Sequence, residues 1–180
     1  LAASAERSRH RLMTVERAVD PRFGVLLVSL TSTSARGRLT LPDPDGSPVV
    51  ELGQLADDED RQALATAVRD AVATLRHPVW RTVARGASID DHGTALDALG
   101  DDVDDIARWA SARLGGTYHA TATCWLACDR RGAVHGHTGL VVADASLLAA
   151  TPARNPFLAV VAQAHRLGAR WRGSPRPPDV

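Results

Sequence analysis

Residues 117–139 have the sequence TYHATATCWLACDRRGAVHGHTG, which contains three of the chain's seven histidines and both of its cysteines. The stretch follows Gly115 and Gly116, a pair typical of the end of a helix. Its first eleven residues predict a strand over residues 117–127. Three interpretations are open at this point: a metal site, a catalytic site, or a core strand.

A metal site would draw on the cysteines and histidines of this stretch, which are His119, Cys124, Cys128, His135 and His137. Their spacing does not match a zinc finger or a zinc ribbon. On a strand, the two cysteines would lie about 13 Å apart at ~3.3 Å per residue. The sequence therefore predicts no metal site, and the cysteines are interpreted as small buried hydrophobic residues.

The histidines outside a metal site differ in their local context. His135 and His137 belong to a His-Gly-His-Thr-Gly run, which is typical of a turn between strands. His165 lies in the middle of a predicted helix, where we expect a structural role. His119 stands at the start of the predicted strand, and spacing alone leaves it either a structural histidine or a general base. Asn155 precedes a proline at a predicted helix start, which capping alone would explain.

The first half of the chain alternates between strand-like and helix-like patterns. FGVLLVSLTS, residues 23–32, predicts a buried strand, and GRLTL followed by PDPDGSP predicts a hairpin around residues 42–48. Apolar residues at helical spacing behind the acidic run DDED predict a helix from Asp57 to about His77. A second amphipathic helix is predicted over residues 101–114. Residues 1–20 have only weak helical spacing.

The C-terminal part predicts a short strand and a closing helix. GLVVAD, residues 139–144, has the pattern of a buried strand, and PFLAVVAQAHRLGARW, residues 156–171, that of a helix. Asn155 is its predicted N-cap and Pro156 its first residue. The order of elements predicts an α+β fold. We expect an N-terminal segment over residues 1–22, one domain over residues 23–171, and a disordered Pro-rich tail over residues 172–180.

Composition excludes several classes of function. Lys plus Arg and Asp plus Glu each total 21, so the net charge gives no reason to expect binding to nucleic acid or to an anionic membrane. No apolar run is long enough to span a bilayer, and no signal peptide is recognisable. Two cysteines outside a CxxC motif favour a reducing compartment. We therefore expect a cytoplasmic protein. Because the chain begins with Leu rather than Met, it is expected to be a fragment or a processed chain.

Two blocks of the sequence, TYHATATC and AVHGHTGLVVADASLLAATPARNP, occur in a familiar order. They resemble two consecutive motifs of the glucose-methanol-choline (GMC) flavoprotein oxidoreductases, Y-x-H-x-x-G-T-C and V-H-G-x-x-G-L-x-V-x-D-A-S, the second leading to an Asn-Pro and the last helix. Residues 34–72 are similar to that family's S-R-G-x-V-x-L stretch. The resemblance covers about residues 23–171. The matching residues are His119, Thr123, Cys124, Val134, His135, Gly136, Gly139, Leu140, Val142, Asp144, Ala145, Ser146, Pro152, Asn155 and Pro156.

The resemblance implies the substrate-side C-terminal domain of such an enzyme, an antiparallel sheet flanked by helices. The family oxidises an alcohol to a carbonyl by hydride transfer to FAD. His119 matches the family's base, which takes the hydroxyl proton, and Asn155 matches its partner, which hydrogen-bonds the same oxygen. The positions that match those beside the cofactor are Tyr118, Asp144, Ala145, Pro156 and Phe157.

The sequence also departs from the family pattern. No GxGxxG occurs anywhere, so the Rossmann-type FAD-binding half is absent from these residues and is expected on a partner chain or on a missing N-terminal region. Ala122 stands where the family has Gly, and Arg154 where Gly is frequent. His119 and Asn155 are closer in sequence than in the family, which we attribute to a trimmed loop around residues 128–131.

The leading hypothesis is the substrate-binding, base-bearing half of a split or truncated FAD-dependent alcohol oxidoreductase, active in a heteromer on a small-molecule alcohol. A non-catalytic scaffold that keeps the same fold is the alternative from a different class. Lyase chemistry on the same flavoprotein scaffold is a third.

Overall fold

The computed structural model describes residues 11–17, 23–116 and 118–172. The chain divides into two compact units, unit 1 up to Gly115 and unit 2 from Gly116 onward. In the described residues, unit 1 contains β1 (Arg11–Arg17), β2 (Gly24–Leu30), β3 (Arg38–Thr40), β4 (Val49–Glu51), α1 (Asp58–Arg76) and α2 (Val103–Ser111). Unit 2 contains α3 (Phe157–Arg172).

Strands β1 and β2 form an antiparallel pair in which Arg11 lies opposite Leu30 and Arg17 opposite Gly24. The strand predicted over residues 23–32 is confirmed over Gly24–Leu30, but the predicted burial is wrong for Val25 and Leu27, which are exposed. The weak helical spacing of residues 1–20 does not produce a helix over residues 11–17, which form β1, and the other residues of this segment lie outside the described ones. A continuous ladder of backbone pairs with β2 outweighs the weak helical spacing, because strand formation depends on the partner strand more than on local propensity.

Strands β3 and β4 form the hairpin predicted around residues 42–48. Leu39 pairs with Val50 in antiparallel register. The connecting loop contains a turn in which Gly46 N donates to the Asp43 carbonyl oxygen at 3.0 Å. The Asp43 side chain also accepts from Asp45 N at 3.1 Å, as aspartate commonly does in turns.

Helix α1 follows the predicted boundaries closely. Its N-cap, Asp57, accepts from Glu59 N at 2.8 Å, and the acidic first turn suits the positive end of the helix. The helix ends at Arg76, and the backbone of its C-cap, His77, is extended before Pro78, as steric contact with the proline ring favours. Leu64 and Val68 on its apolar face are buried.

Helix α2 completes the core of unit 1. It is capped by Asp102, whose side chain accepts from Asp105 N at 3.0 Å, and it lies inside the predicted range of residues 101–114. Ile106 on this helix is completely buried. The core consists of apolar residues from the loops and from both helices: Leu55, Leu64, Ala65, Val68, Leu99, Ile106 and Ala110. The inward side of β2 packs against it through Val28 and Leu30.

A buried carboxylate holds the segment after β2 onto the first turn of α1. Asp60 is only 4% exposed, and its two oxygens accept from Ser34 N at 2.8 Å and Ala35 N at 2.9 Å. The Ser34 hydroxyl donates to the Glu59 carboxylate at 2.9 Å. Because both carboxylate oxygens have a donor, burial of this charge is compensated.

The two strands predicted in unit 2 are not observed. Residues 118–127 are irregular and end in a turn, and residues 139–144 contribute only a single antiparallel bridge, between Ala133 and Val141. Left-handed backbone at Ala122, with φ of 70°, is incompatible with a continuous strand. The turn that follows, in which Ala127 N donates to Cys124 O at 3.0 Å, reverses the chain direction.

Helix α3 packs against the turn at residues 129–132 through its second half. Leu167 is 1% exposed, and its side chain lies beside Gly132, where an added Cβ would be 3.3 Å from Leu167 Cδ1 and 2.3 Å from the Val142 carbonyl oxygen. Trp171 Nε1 donates to the Arg131 carbonyl oxygen at 3.0 Å. The Arg131 guanidinium carbon lies 5.1 Å from the centroid of the Trp171 ring, within cation–π distance.

The observed elements confirm the α+β class with antiparallel strand pairs and helices. Among the described residues we find no Rossmann-type half. None of the described helices combines the length and apolar composition that a bilayer span requires. The predicted domain boundaries at residues 22 and 172 adjoin residues outside the described part and stay predictions.

Candidate functional site

His119 lies on an exposed, irregular segment of unit 2, residues 118–123. Tyr118, immediately before it, is fully exposed and has a left-handed φ of 58°. Ala122, three residues after it, is also left-handed. The histidine therefore sits on a short segment bounded by two residues in a conformation that non-glycine residues rarely adopt.

Left-handed alanines occur near both candidate residues. Ala122 has φ of 70°, and Ala153, two residues before Asn155, has φ of 52°. This conformation costs a non-glycine residue about 1–2 kcal/mol, so the surrounding structure must impose it. Ala122 is the position at which the GMC pattern has glycine, the residue that adopts this conformation without a steric cost.

One backbone hydrogen bond connects the His119 segment to the turn that contains Asp144 and Ala145. Cys124 N donates to the Ser146 carbonyl oxygen at 3.0 Å. Asp144 Oδ1 accepts from Ser146 N at 2.9 Å and from Ser146 Oγ at 2.5 Å, and these hydrogen bonds, the hydroxyl one first, lower the pKa of Asp144. The hydrogen bond thus brings Cys124, five residues after His119, next to the turn that contains Asp144 and Ala145.

Asn155 lies at the start of α3, as predicted. Its side-chain Oδ1 accepts from Phe157 N at 2.9 Å, and the helix begins one residue later than expected, at Phe157. Boundaries of this kind vary by a residue between definitions. Because Oδ1 is engaged by the helix, the amide Nδ2 is the group that Asn155 presents to a ligand. Pro156 is buried, whereas Phe157 is 67% exposed.

His119 and Asn155 are both exposed, and within residues 118–172 no hydrogen bond joins their side chains. The described residues also contain no group of three or more His, Cys, Asp or Glu side chains placed to hold a metal ion. His135 and His137 lie in the predicted turn, which Gly136 and Gly139 form with φ of 77° and 78°. His165 is exposed on α3.

Cys124 begins the turn at residues 124–127 and Cys128 follows it. The separation of about 13 Å expected along a strand therefore does not apply. Cys128 is buried, as the sequence predicted, and Cys124 is half-buried. Burial, followed by the nearby Cys124 thiol, raises the pKa of Cys128. Both cysteines are free thiols.

A tight turn occupies the region where the sequence predicted a trimmed loop. Asp129 Oδ1 accepts from Arg131 N at 2.7 Å and from Ala133 N at 3.0 Å. These backbone donors, Arg131 first, lower the pKa of Asp129. Gly132 closes the turn with φ of 76°.

Sequence reasoning did not identify the left-handed residues or the role of Ser146. The replacement of glycine by alanine at Ala122 was visible in the sequence, and a glycine in a family motif frequently marks a positive φ. Ala153 carries no comparable signal, because an alanine gives no local indication of a positive φ. Ser146 follows Asp144 in the Asp-Ala-Ser run, a spacing typical of a side chain bonding to the backbone two residues on.

Comparison with known proteins assigns most of the chain to one family pattern. A family model described as GMC oxidoreductase matches residues 33–164. The chain is 27% identical over 157 residues to a 5-(hydroxymethyl)furfural oxidase of Methylovorus sp. (strain MP688), covering 79% of the chain and 30% of the relative. It is 26% identical over 149 residues to an oxygen-dependent choline dehydrogenase of Chromohalobacter salexigens, covering 79% of the chain and 26% of the relative. The chain thus spans less than a third of the length of these relatives.

Proposed function

This chain belongs to the GMC oxidoreductase family, and on that premise we propose that it is the substrate-side, base-bearing part of an FAD-dependent alcohol oxidoreductase. The observation that carries the proposal is the exposed imidazole of His119, five residues before Cys124, whose backbone N–H is bonded to Ser146 O in the Asp144 turn. The relatives' names support the reaction class, since hydroxymethylfurfural and choline both carry a hydroxyl group.

We expect the described residues to contact only part of FAD. The exposed Tyr118 ring can contact a flat cofactor ring, and the positive end of α3 at Phe157 suits a group that gains negative charge on reduction. Ala145, in the turn capped by Asp144, is the further residue that the family resemblance places at the cofactor. The sequence has no GxGxxG to bind the diphosphate, so a partner chain or another region of the protein would hold most of the cofactor.

The bound flavin supplies the hydride acceptor, and this chain supplies the groups that prepare the alcohol. The His119 imidazole takes the hydroxyl proton, because a histidine can accept a proton near neutral pH. Asn155 Nδ2 donates a hydrogen bond to the same oxygen, since Oδ1 is already bound to Phe157 N. This donor orients the alcohol and stabilises the charge left on its oxygen. The two free thiols agree with a reducing, cytoplasmic location, which is part of the proposal.

The proposal is tested by co-expressing the chain with the coding region immediately upstream of it and recording visible absorption. We expect flavin bands in the complex and their bleaching by an alcohol, with 5-(hydroxymethyl)furfural and choline as first probes. His119→Ala should slow flavin reduction by about 10²–10⁴-fold while the complex keeps its flavin. His165→Ala, an exposed histidine on α3, is the matched control and should leave the rate unchanged.

The same experiment distinguishes the enzyme from a non-catalytic scaffold. The side chains of His119 and Asn155 are exposed and unconnected to each other in the described residues, an arrangement that also fits a non-catalytic scaffold. A complex that forms normally, binds no flavin and is unaffected by His119→Ala would refute the enzyme proposal and favour the scaffold. Retained flavin with no reduction by any alcohol would favour lyase chemistry.

A further inference from the structure

We propose that one face of the β3–β4 hairpin is a surface on which the FAD-binding part of the enzyme docks. This surface, the hairpin face, consists of the side chains of Leu39, Leu41, Val50 and Leu52. The inference deepens the proposed function and rests on it for the identity of the partner. It concerns assembly, because none of these four residues belongs to the candidate site.

The strand register brings the four side chains together. Leu39 lies directly opposite Val50, and cross-strand pairs of this kind have Cβ atoms about 4.5–5.5 Å apart. Leu41 and Leu52 each follow two residues later, so the alternation of side chains along a strand continues the same face through them. The opposite face carries three polar side chains and one apolar one, those of Arg38, Thr40, Glu51 and Val49. The hairpin therefore has one face whose composition is typical of burial.

The hairpin face is nevertheless exposed in this chain. Leu39 and Leu52 are each 57% exposed, Val50 is 56% exposed and Leu41 is 53% exposed. Within the described residues, β3 and β4 form a sheet of two strands. A two-stranded hairpin has little stability in water by itself and is stabilised by packing on one face. A contiguous apolar surface, unlike scattered apolar residues, is typical of an interaction site.

Backbone contacts at both ends hold the hairpin in shape. At the base, a Cβ added to Gly37 would overlap the Glu51 carbonyl oxygen, so the two chain segments approach more closely there than a side chain would allow. At the tip, Gly46 N donates to the Asp43 carbonyl oxygen at 3.0 Å. The hairpin face is thus ordered before a partner binds, which reduces the entropic cost of docking.

The size of the hairpin face indicates the kind of partner. Four side chains are far fewer than the roughly 20–30 residues that each side of a stable interface contributes, so this face alone would not hold two copies of the chain together. It suits one section of a larger interface. The chain covers 30% and 26% of the two relatives, so more than two thirds of each relative lies outside the matched part. The FAD-binding part, which the proposed function requires, is a partner of that size.

The test places a pair of lysines on either face of the hairpin. Leu39→Lys with Val50→Lys changes the hairpin face. Thr40→Lys with Val49→Lys, a directly opposite pair on the other face, is the matched control, and both of its positions are exposed. Each tagged chain is co-expressed with the coding region immediately upstream, and the amount of the upstream product that co-purifies is measured by quantitative mass spectrometry. Urea unfolding of the chain alone verifies that both double variants fold.

We expect the hairpin-face variant to retain at least about tenfold less of the upstream product than the unmodified chain, because lysines buried against an apolar surface would lack partners. The control should change the retained amount by less than about twofold, as exposed substitutions usually do. Three results would overturn the inference: no association of the unmodified chain with the upstream product, equal association of the two double variants, or self-association of the chain alone that only the hairpin-face variant abolishes. The last result would make a second copy the occupant.

The flavin of the complex tests the proposed function separately. A complex that requires the hairpin face and holds flavin, but whose flavin no alcohol reduces, would refute the alcohol chemistry and leave the docking surface supported. Flavin reduction in a complex that assembles equally with both double variants would refute only the docking surface. A complex that requires the hairpin face but contains no flavin would refute both.

Discussion

Replacement of Ala122 by glycine should stabilise the protein, although glycine usually has the opposite effect. At φ of 70° the alanine Cβ crowds the backbone, at a cost of about 1–2 kcal/mol. Glycine removes that cost but adds about 0.4–1 kcal/mol of unfolded-chain entropy. The net expectation for Ala122→Gly is a free energy of unfolding that is unchanged or higher by up to about 1.5 kcal/mol.

Ala127→Gly is the matched control for this prediction. Ala127 is an exposed alanine in the adjacent turn and is absent from the residues with positive φ. Its replacement should lower the free energy of unfolding by about 0.4–1 kcal/mol through unfolded-chain entropy alone. The two variants should therefore differ by about 1–2 kcal/mol, which is the strain at Ala122.

Urea unfolding of the two variants, followed by intrinsic tryptophan fluorescence, measures that difference. Trp125, which lies between the two substituted positions, and Trp171 should report the unfolding of unit 2. Equal destabilisation by both variants would refute the claim that the left-handed conformation is strained. If Ala122→Gly stabilises the chain but slows flavin reduction in the complex, the strain serves to position His119.

Three further predictions concern packing and hydrogen bonds. Asp60→Ala leaves Ser34 N and Ala35 N without their buried acceptor and should lower the free energy of unfolding by about 2–3 kcal/mol. The control, Asp58→Ala at an exposed position, should lower it by less than about 1 kcal/mol. Urea titration measures both values. Leu167→Ala should cost about 2–5 kcal/mol, and a loss under 1 kcal/mol would contradict its buried contact with the turn at residues 129–132. The depressed pKa of Asp144 contributes stability above about pH 4, and this contribution is lost as pH falls through the native pKa. Ser146→Ala should therefore destabilise the protein most above about pH 4 and progressively less below it. Unfolding at a series of pH values measures this dependence.

The sequence predicted the elements of unit 1 that depend on local chemistry. Asp57 as a cap, the acidic turn behind it and Pro78 after the last residue define α1 through contacts within a few residues. The hairpin around Asp43 and Gly46 is predictable for the same reason. The strand β1 was not predictable, because its conformation depends on pairing with β2.

Unit 2 shows why the site was harder to predict than the fold. Small and β-branched residues after Tyr118 favour a strand, but hydrogen bonds to residues far along the chain, such as Cys124 N to Ser146 O, impose an irregular path. The roles of His119 and Asn155 were predicted from the family resemblance. The structure places Asn155 at the predicted helix start. The left-handed backbone at Ala122 was signalled only by the glycine of the family motif, and that at Ala153 by nothing in the sequence.

Helix α3 is packed unevenly along its length. Leu167 and Trp171 fix its second half, whereas Phe157 and Leu158 at its beginning are 67% and 75% exposed. Amide hydrogens should accordingly exchange faster in the first turns than in the last ones. Asn155 would then act from the more mobile end of the helix, and a ligand that binds there must also meet the entropic cost of ordering it. Slower exchange at this end in the assembled, ligand-bound protein would be the sign of that ordering.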